Sequence, residues 1–215
     1  MKQVLELFSG TQSVGKVLKE KGYNVISVDI NDYEGVTPTH KIDILDFDYK
    51  QYKKFDIIWC SPPCVNYSQL QYACLGREKI IDGNRVVWTK ELWNEKMNES
   101  DLLVAKCFEI INYFKPKYWF MENPQTGLLK TRIIMKDKEF YDTDYCKYSN
   151  WGYRKRTRIW TNKKLNLLKC NKDCQNIIKN GKKYKHKGSI QDIGGGYERH
   201  KRYKIPPKLI KAIMV

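Results

Sequence analysis

The chain has 215 residues, 41% of them hydrophobic, which is enough to bury one sizeable core but cramped for two full domains. No apolar run approaches the ~20 residues that span a bilayer and the first residues lack a signal peptide's apolar stretch, so a soluble, intracellular protein without membrane contact is expected; seven cysteines at irregular positions fit reduced thiols better than a disulfide framework. Lys and Arg balance Asp and Glu at 21 each over residues 1–150 but outnumber them 19 to 3 over residues 151–215, so the net charge of +16 lies wholly in the last 65 residues. With Tyr153, Tyr184, Tyr197 and Tyr203 interleaved, this basic segment suits a polyanion with stackable bases, a solvated Lys-rich tail being the plain alternative.

In chain order, residues 4–8 read as a buried strand, 10–15 as a turn, 14–20 as a helix and 25–29 as a second strand. Further strands are expected at 42–44, 56–60 and 118–122. Between the last two, Leu102, Leu103, Cys107, Ile110, Ile111 and Phe114 recur at helical spacing, with Pro116 just beyond. Alternating strands and helices predict an α/β fold: a Rossmann-like, doubly wound, mostly parallel sheet with ligands at the carboxyl ends of its strands. Residues 65–99 are expected to be a long loop or short helices over the site. From 163 to 204 the pattern dissolves into Lys, Asn and Gly, with a turn at Gly194, Gly195 and Gly196. Residues 1–162 are therefore taken as the catalytic domain, 163–204 as a small basic recognition lobe, and 205–215 as a last helix returning to the core.

The polar motifs follow strand ends. The turn Phe8-Ser9-Gly10-Thr11-Gln12-Ser13-Val14-Gly15-Lys16-Val17 nearly spells a phosphate-binding loop, but Val17 has no hydroxyl for magnesium, which counts against a nucleotide hydrolase. As a Rossmann-like turn it brings backbone close to a cofactor, and Asp29, 19 residues after Gly10, can accept both hydrogen bonds of a ribose diol. A nicotinamide-dinucleotide site or a purely structural turn has the same signature. Asp43 suits an adenine amino group or plain surface exposure. Next, Pro62 and Pro63 hold Cys64 rigidly past a strand end, as a nucleophile requires, while Cys60 reads as buried filler; the two can also be half of a metal site. Glu122, an acid ending an apolar run beside Asn123, can hold or deliver a proton near neutral pH, or simply face water. Arg154, Arg156 and Arg158 share a face at a period of two, ready for a base carbonyl or phosphates, or for solvent.

Taken together and in this order, Leu7-Phe8-Ser9-Gly10, Asp29, Pro62-Pro63-Cys64, Glu122-Asn123 and Arg154-x-Arg156-x-Arg158 resemble the cytosine-5 DNA methyltransferase family over residues 1 to about 162. The resemblance implies S-adenosylmethionine as cofactor, contacted by Phe8, Ser9, Gly10, Thr11, Asp29, Ile30, Asp43 and Pro62. It implies catalysis by Cys64 at C6, Glu122 at N3 and Arg156 at O2 of a flipped-out cytosine, with Pro63, Asn123, Arg154 and Arg158 binding substrate. DNA is the implied partner. RNA methylation by the same chemistry, or a catalytically lapsed DNA-binding accessory protein, are the alternatives. The first motif keeps only Gly10 and Gly15, with Gln12 between them, Arg154 stands where a glutamine is usual, and the last motif is reduced to Arg202-Tyr203-Lys204-Ile205-Pro206-Pro207. The short recognition segment predicts a short target sequence or help from another protein. No metal is assigned to the catalytic site; elsewhere, Cys170 and Cys174 with His186, and His200 to complete the set, suggest a zinc knuckle.

Overall fold

The structure, a computed structural model, describes residues 1–33, 35–181, 183–190 and 202–214. The sequence-derived turn at Gly194 to Gly196, Tyr197, Lys182 and His200 lie outside them. The first apolar run forms β1 (Gln3–Leu7), which turns into α1 (Ser13–Glu20) and then β2 (Asn24–Asp29), parallel to β1 with Val4 opposite Val25. The third strand is earlier and shorter than the expected 42–44: β3 (His40–Lys41) pairs with the end of β2. Asp43 stops it, because its Oδ1 accepts from the Leu45 N–H at 2.9 Å and its carbonyl from the Asp46 N–H, folding the chain into a turn.

β4 (Ile57–Cys60) lies parallel to β1 on its other side. Residues 65–99, expected as a long loop or short helices, hold a short helical turn (Gln69–Cys74) and a small hairpin, β5 (Glu78–Ile81) and β6 (Asn84–Val87), and their last ten residues belong to a helix longer than expected, α2 (Lys90–Phe114). Thr89 caps α2 by accepting from the Leu92 N–H at 3.1 Å, and the helix buries Trp93, Met97, Val104, Cys107, Ile110 and Ile111 along one stripe. β7 (Tyr118–Pro124) follows, parallel to β4. β8 (Phe140–Asp144) and β9 (Arg156–Thr161) complete the sheet, β9 running antiparallel between β7 and β8. The order is β3-β2-β1-β4-β7-β9-β8, the expected mostly parallel, doubly wound arrangement.

Strand alternation divides the core between the two faces of the sheet. Leu5, Leu7, Ile58, Cys60 and Met121 pack toward α2, whereas Val4, Ile57, Trp59, Phe120 and Ile159 pack toward α1 and the last helix, α3 (Pro207–Ile213). Before α3 the chain forms a separate hairpin of β10 (Ile177–Asn180) and β11 (Lys183–His186). α3 (Pro207–Ile213) then buries Leu209, Ile210 and Ile213 against α1. No helix among the described residues is long and apolar enough to cross a membrane.

Candidate active site

The carboxyl ends of β1, β2, β4 and β7 open on one side of the sheet. After β1, Phe8, Gly10 and Gln12 all adopt left-handed backbone, at φ of 56°, 48° and 52°, with Ser9 and Thr11 between them outside that region. The turn's N–H groups are largely spent within the protein: Ser9 donates to the Val28 carbonyl at 3.1 Å, Gly10 to Asp29 at 2.8 Å and Gln12 to the Ser9 carbonyl at 2.7 Å. At Gly10 the conformation suits glycine; at Phe8 and Gln12 it costs of order 1–2 kcal/mol each. Gln12 Nε2 donates to the Thr37 carbonyl at 2.9 Å, which helps hold its strained position. Beneath the turn lies Glu6, 2% exposed, accepting from the N–H groups of Val14 at 3.2 Å and Gly15 at 2.9 Å at the start of α1. Burial pushes its carboxyl up to about 8 against the pull of those two N–H groups. Sequence reading overlooked Glu6; an acid inside an otherwise apolar strand was the available signal.

Asp29 ends β2 at 9% exposure, with Oδ2 accepting from Gly10 N–H at 2.8 Å and Oδ1 from Asn31 N–H at 3.0 Å. Burial raises its pKa and the backbone N–H groups pull it back. Beside it, the Ile30 side chain is 57% exposed, an apolar surface next to the acid. Ser9 Oγ is buried without a hydrogen-bond partner in the same turn. The unpaired hydroxyl, the acid and the exposed apolar side chain suit, in turn, a polar group, a ribose diol and an adenine face. Asp43 lies in the turn after β3, half-buried.

Past β4, Pro62 is buried, Pro63 exposed and Cys64 half-buried. The loop is pinned from β7: Asn123, 1% exposed, donates Nδ2 to the Pro62 carbonyl at 2.9 Å. Asn123, expected on the substrate side, thus holds the cysteine loop. On the far side of Cys64, Trp93 Nε1 donates to the Asn66 carbonyl at 2.7 Å, and Tyr67 donates its hydroxyl to Asp101 at 2.8 Å, fastening the loop to α2. Cys60, by contrast, is fully buried against Cys107 of α2, and burial drives its thiol well up.

Glu122, 7% exposed, accepts at Oε1 from the Tyr145 hydroxyl at 2.9 Å and from the Thr157 hydroxyl. Thr157 lies in β9 and carries its side chain to the Glu122 face, so alternation sends Arg156 and Arg158 to the other. There Arg158 makes a two-pronged ion pair with Asp142 at 2.7 and 2.9 Å and stacks on Phe140. Arg154 likewise grips Asp144 at 2.7 and 2.9 Å. Arg156 is exposed. The period of two was legible, but it grouped the arginines on the side away from Glu122. Burial raises the Cys64 thiol pKa, the positive charge of Lys155 lowers it and Glu122 raises it further. Lys155 Nζ also lies 4.8 Å from the centre of the Tyr145 ring and donates to the Arg202 carbonyl at 3.1 Å. From there the chain passes Tyr33, whose ring meets that of Tyr203, to Ile205, whose N–H donates to Ser13 Oγ at 3.2 Å. The reduced last motif thus links the Lys155 and Gly10 sides of the site.

Comparison with known proteins adds two kinds of likeness. The chain is 34% identical over 225 residues to a "Probable DNA (cytosine-5)-methyltransferase" of Frog virus 3 (isolate Goorha), covering 99% of this chain and 98% of that one. Among solved structures, a putative DNA modification methyltransferase encoded within an E. coli prophage matches with a TM-score of 0.51 at 14% identity, over 75% of this chain and 46% of its own length. An Entamoeba histolytica methyltransferase matches with a TM-score of 0.49 at 16% identity, over 80% of this chain and 57% of that one. The chain thus spans about half the length of these structures, and its seven-stranded sheet matches class I methyltransferase structures. No protein-family model matches.

Proposed function

The chain belongs to the cytosine-5 DNA methyltransferase family, and on that premise we propose that it is an active, S-adenosylmethionine-dependent DNA (cytosine-5-)-methyltransferase working through a covalent adduct on Cys64. The observation that carries this reading is the hydrogen bond from Asn123 Nδ2 to the Pro62 carbonyl at 2.9 Å, which ties the Cys64 loop to the strand end that bears Glu122. Phe8, Ser9, Gly10 and Thr11 would hold the amino-acid end of S-adenosylmethionine, Asp29 the ribose, and Ile30 with Asp43 the adenine, while Pro62 borders the sulfur side. When bound, the cofactor supplies a sulfonium methyl for C5.

The chain's own residues prepare the base. An aromatic cytosine carbon is a poor nucleophile, so the Cys64 thiolate adds to C6, forming a C–S bond and moving the ring electrons to C5. Glu122 meets N3 and holds the enamine that results. Tyr145 and Thr157 fix its Oε1, and Asn123 fixes the loop that aims Cys64. In this reading Lys155 takes the place expected of Arg156, favouring the thiolate and meeting O2, while Arg156 and Pro63 face the flanking strand and Arg154 and Arg158 brace β9 against β8. After methylation water takes the C5 proton, the electron pair of that C–H bond restores the C5–C6 double bond, and the C6–S bond breaks to release Cys64 as thiolate. The target carbon lies inside the duplex stack, so the base is flipped out or single-stranded.

Random-sequence DNA containing 5-fluorocytosine in place of cytosine tests this, because fluorine replaces the proton whose loss frees the enzyme. With methyl donor present, wild type and Cys60→Ser are expected to form a stable protein–DNA adduct on a denaturing gel, and Cys64→Ser none. An adduct mapping by mass spectrometry to Cys60 would overturn the assignment. Adduct formation on matched RNA but not DNA would move the substrate to RNA.

A further inference from the structure

Cys146, Cys170, Cys174 and His186 come from three separate stretches, yet their ligand atoms all lie within 4.8 Å of one another. Cys146 sits in the helical turn after β8, Cys170 and Cys174 in the loop before β10, and His186 ends β11. None of the three cysteines is in a disulfide. We infer that these four side chains form a structural zinc site that fastens the basic hairpin to the edge of the catalytic sheet. The sequence pointed to Cys170, Cys174 and His186 with His200 as fourth ligand; Cys146 takes that place.

The geometry fits the ion. The Cys170 and Cys174 sulfurs stand 3.6 and 3.4 Å from His186 Nε2. A tetrahedral centre with Zn–S of about 2.3 Å and Zn–N of about 2.0–2.1 Å calls for S···N edges of about 3.5 Å. Three sulfurs and one imidazole leave no open position, so the site is structural rather than hydrolytic, and the soft donor set selects zinc over magnesium or calcium. Between the two cysteines Lys172 takes a left-handed φ of 63° and the Asn171 N–H donates to Asp173 Oδ1 at 3.0 Å, which folds the loop that carries both sulfurs. Asp144 accepts from the Cys170 N–H at 2.8 Å while gripping Arg154, tying the ligand loop to β8.

The hairpin also needs a fastener. β10 and β11 form a separate two-stranded sheet whose side chains are mostly exposed, and an isolated hairpin of that kind is marginal at best. Its polar anchor is Asn176, 1% exposed, which donates Nδ2 to the carbonyls of Cys146 at 3.0 Å and Ser149 at 2.8 Å. Both attachments grip the turn that begins with Tyr145, the residue holding Glu122. The metal would therefore set the recognition hairpin in register with the catalytic acid.

The test is metal analysis of the whole protein purified in reducing buffer without chelator. About one equivalent of zinc is expected. Cys146→Ser, Cys170→Ser, Cys174→Ser and His186→Ala should each lose most of it, whereas Cys74→Ser and His200→Ala keep it. Cobalt exchanged into wild type should show intense visible bands of a tetrahedral site and a thiolate charge-transfer band, a readout that does not depend on any variant folding. Less than about a tenth of an equivalent of zinc together with no cobalt spectrum would overturn the site. So would a Cys170–Cys174 disulfide in protein prepared without oxygen, or full zinc content in Cys146→Ser.

Discussion

Cys64 is held where its anion is disfavoured by burial and by the Glu122 carboxylate and favoured by the Lys155 ammonium. With its pKa raised, the group is mostly thiol at neutral pH and becomes thiolate as pH rises, so its reactivity should climb through a midpoint above the ordinary ~8.5 of a free cysteine. Alkylation by iodoacetamide, followed peptide by peptide in a mass spectrometer, measures this directly. Lys155→Met removes the stabilising cation and should move the midpoint up; Glu122→Gln removes the opposing charge and should move it down. No movement in either variant would mean that neither group faces the thiol. Asp29 is a second residue-scale test. If it receives a ribose diol, Asp29→Ala should weaken S-adenosylmethionine binding by about 1–3 kcal/mol in calorimetry. An unchanged affinity would leave the acid as no more than the partner of Gly10 and Asn31.

At the scale of an element, the turn from β1 into α1 depends on Glu6 and Gly15 together. A Cβ on Gly15 would lie 2.5 Å from Glu6 Oε2 and 3.3 Å from Val25. Alanine gains about 1 kcal/mol of helix propensity over glycine, but Glu6 is clamped by two N–H groups and cannot retreat, so Gly15→Ala should be net destabilising by about 1–3 kcal/mol in denaturant melts. Glu6 also predicts a pH dependence. Its carboxyl is raised from 4.5 to about 8 on folding, so the folded chain holds a proton that the unfolded chain releases; the contribution is complete below pH 4.5 and falls away as pH rises to about 8. The stability of Glu6→Gln should therefore decline less over that window than wild type, and parallel profiles would count against a buried proton. β1, β2, β4 and β7 were legible because buried parallel strands are continuous apolar runs, and the two prolines mark where β4 stops. The first turns of α2 were not, since the burial of Trp93 and Met97 is interrupted by Glu95, Lys96 and Asn98. A period of two says which residues share a face of β9 but not which face meets Glu122, and only the pairing with β7 decides that. Cys146 escaped notice because 23 residues separate it from Cys170, and β9 and the turn before it bring them together.

Across the whole molecule, charge is segregated: residues 1–150 are neutral overall, and the excess of +16 lies beyond them. Within that basic part Arg154 and Arg158 are already paired with Asp144 and Asp142, so they add less to an anion's attraction than their number suggests. The exposed cations of the hairpin, Lys179, Lys183 and Lys185, with Lys187 just after it, are better placed, and Tyr184, 54% exposed, stands directly across from Lys179. Lysines around an exposed ring suit a nucleic-acid backbone with a base or sugar against the aromatic face. If about five phosphates are neutralised on binding, affinity for duplex DNA should fall by about three orders of magnitude for a fivefold rise in salt. Changing Lys179, Lys183, Lys185 and Lys187 together to Gln should weaken binding at low salt and flatten the slope of log affinity against log salt by about one for each phosphate no longer neutralised. S-adenosylmethionine affinity, measured on the same preparation, should not move, because the turn after β1 and Asp29 contain none of these lysines; a parallel fall would point to misfolding rather than to weaker attraction for the phosphates. A salt profile that is flat in wild type, or unchanged by the four substitutions, would place the DNA on another face.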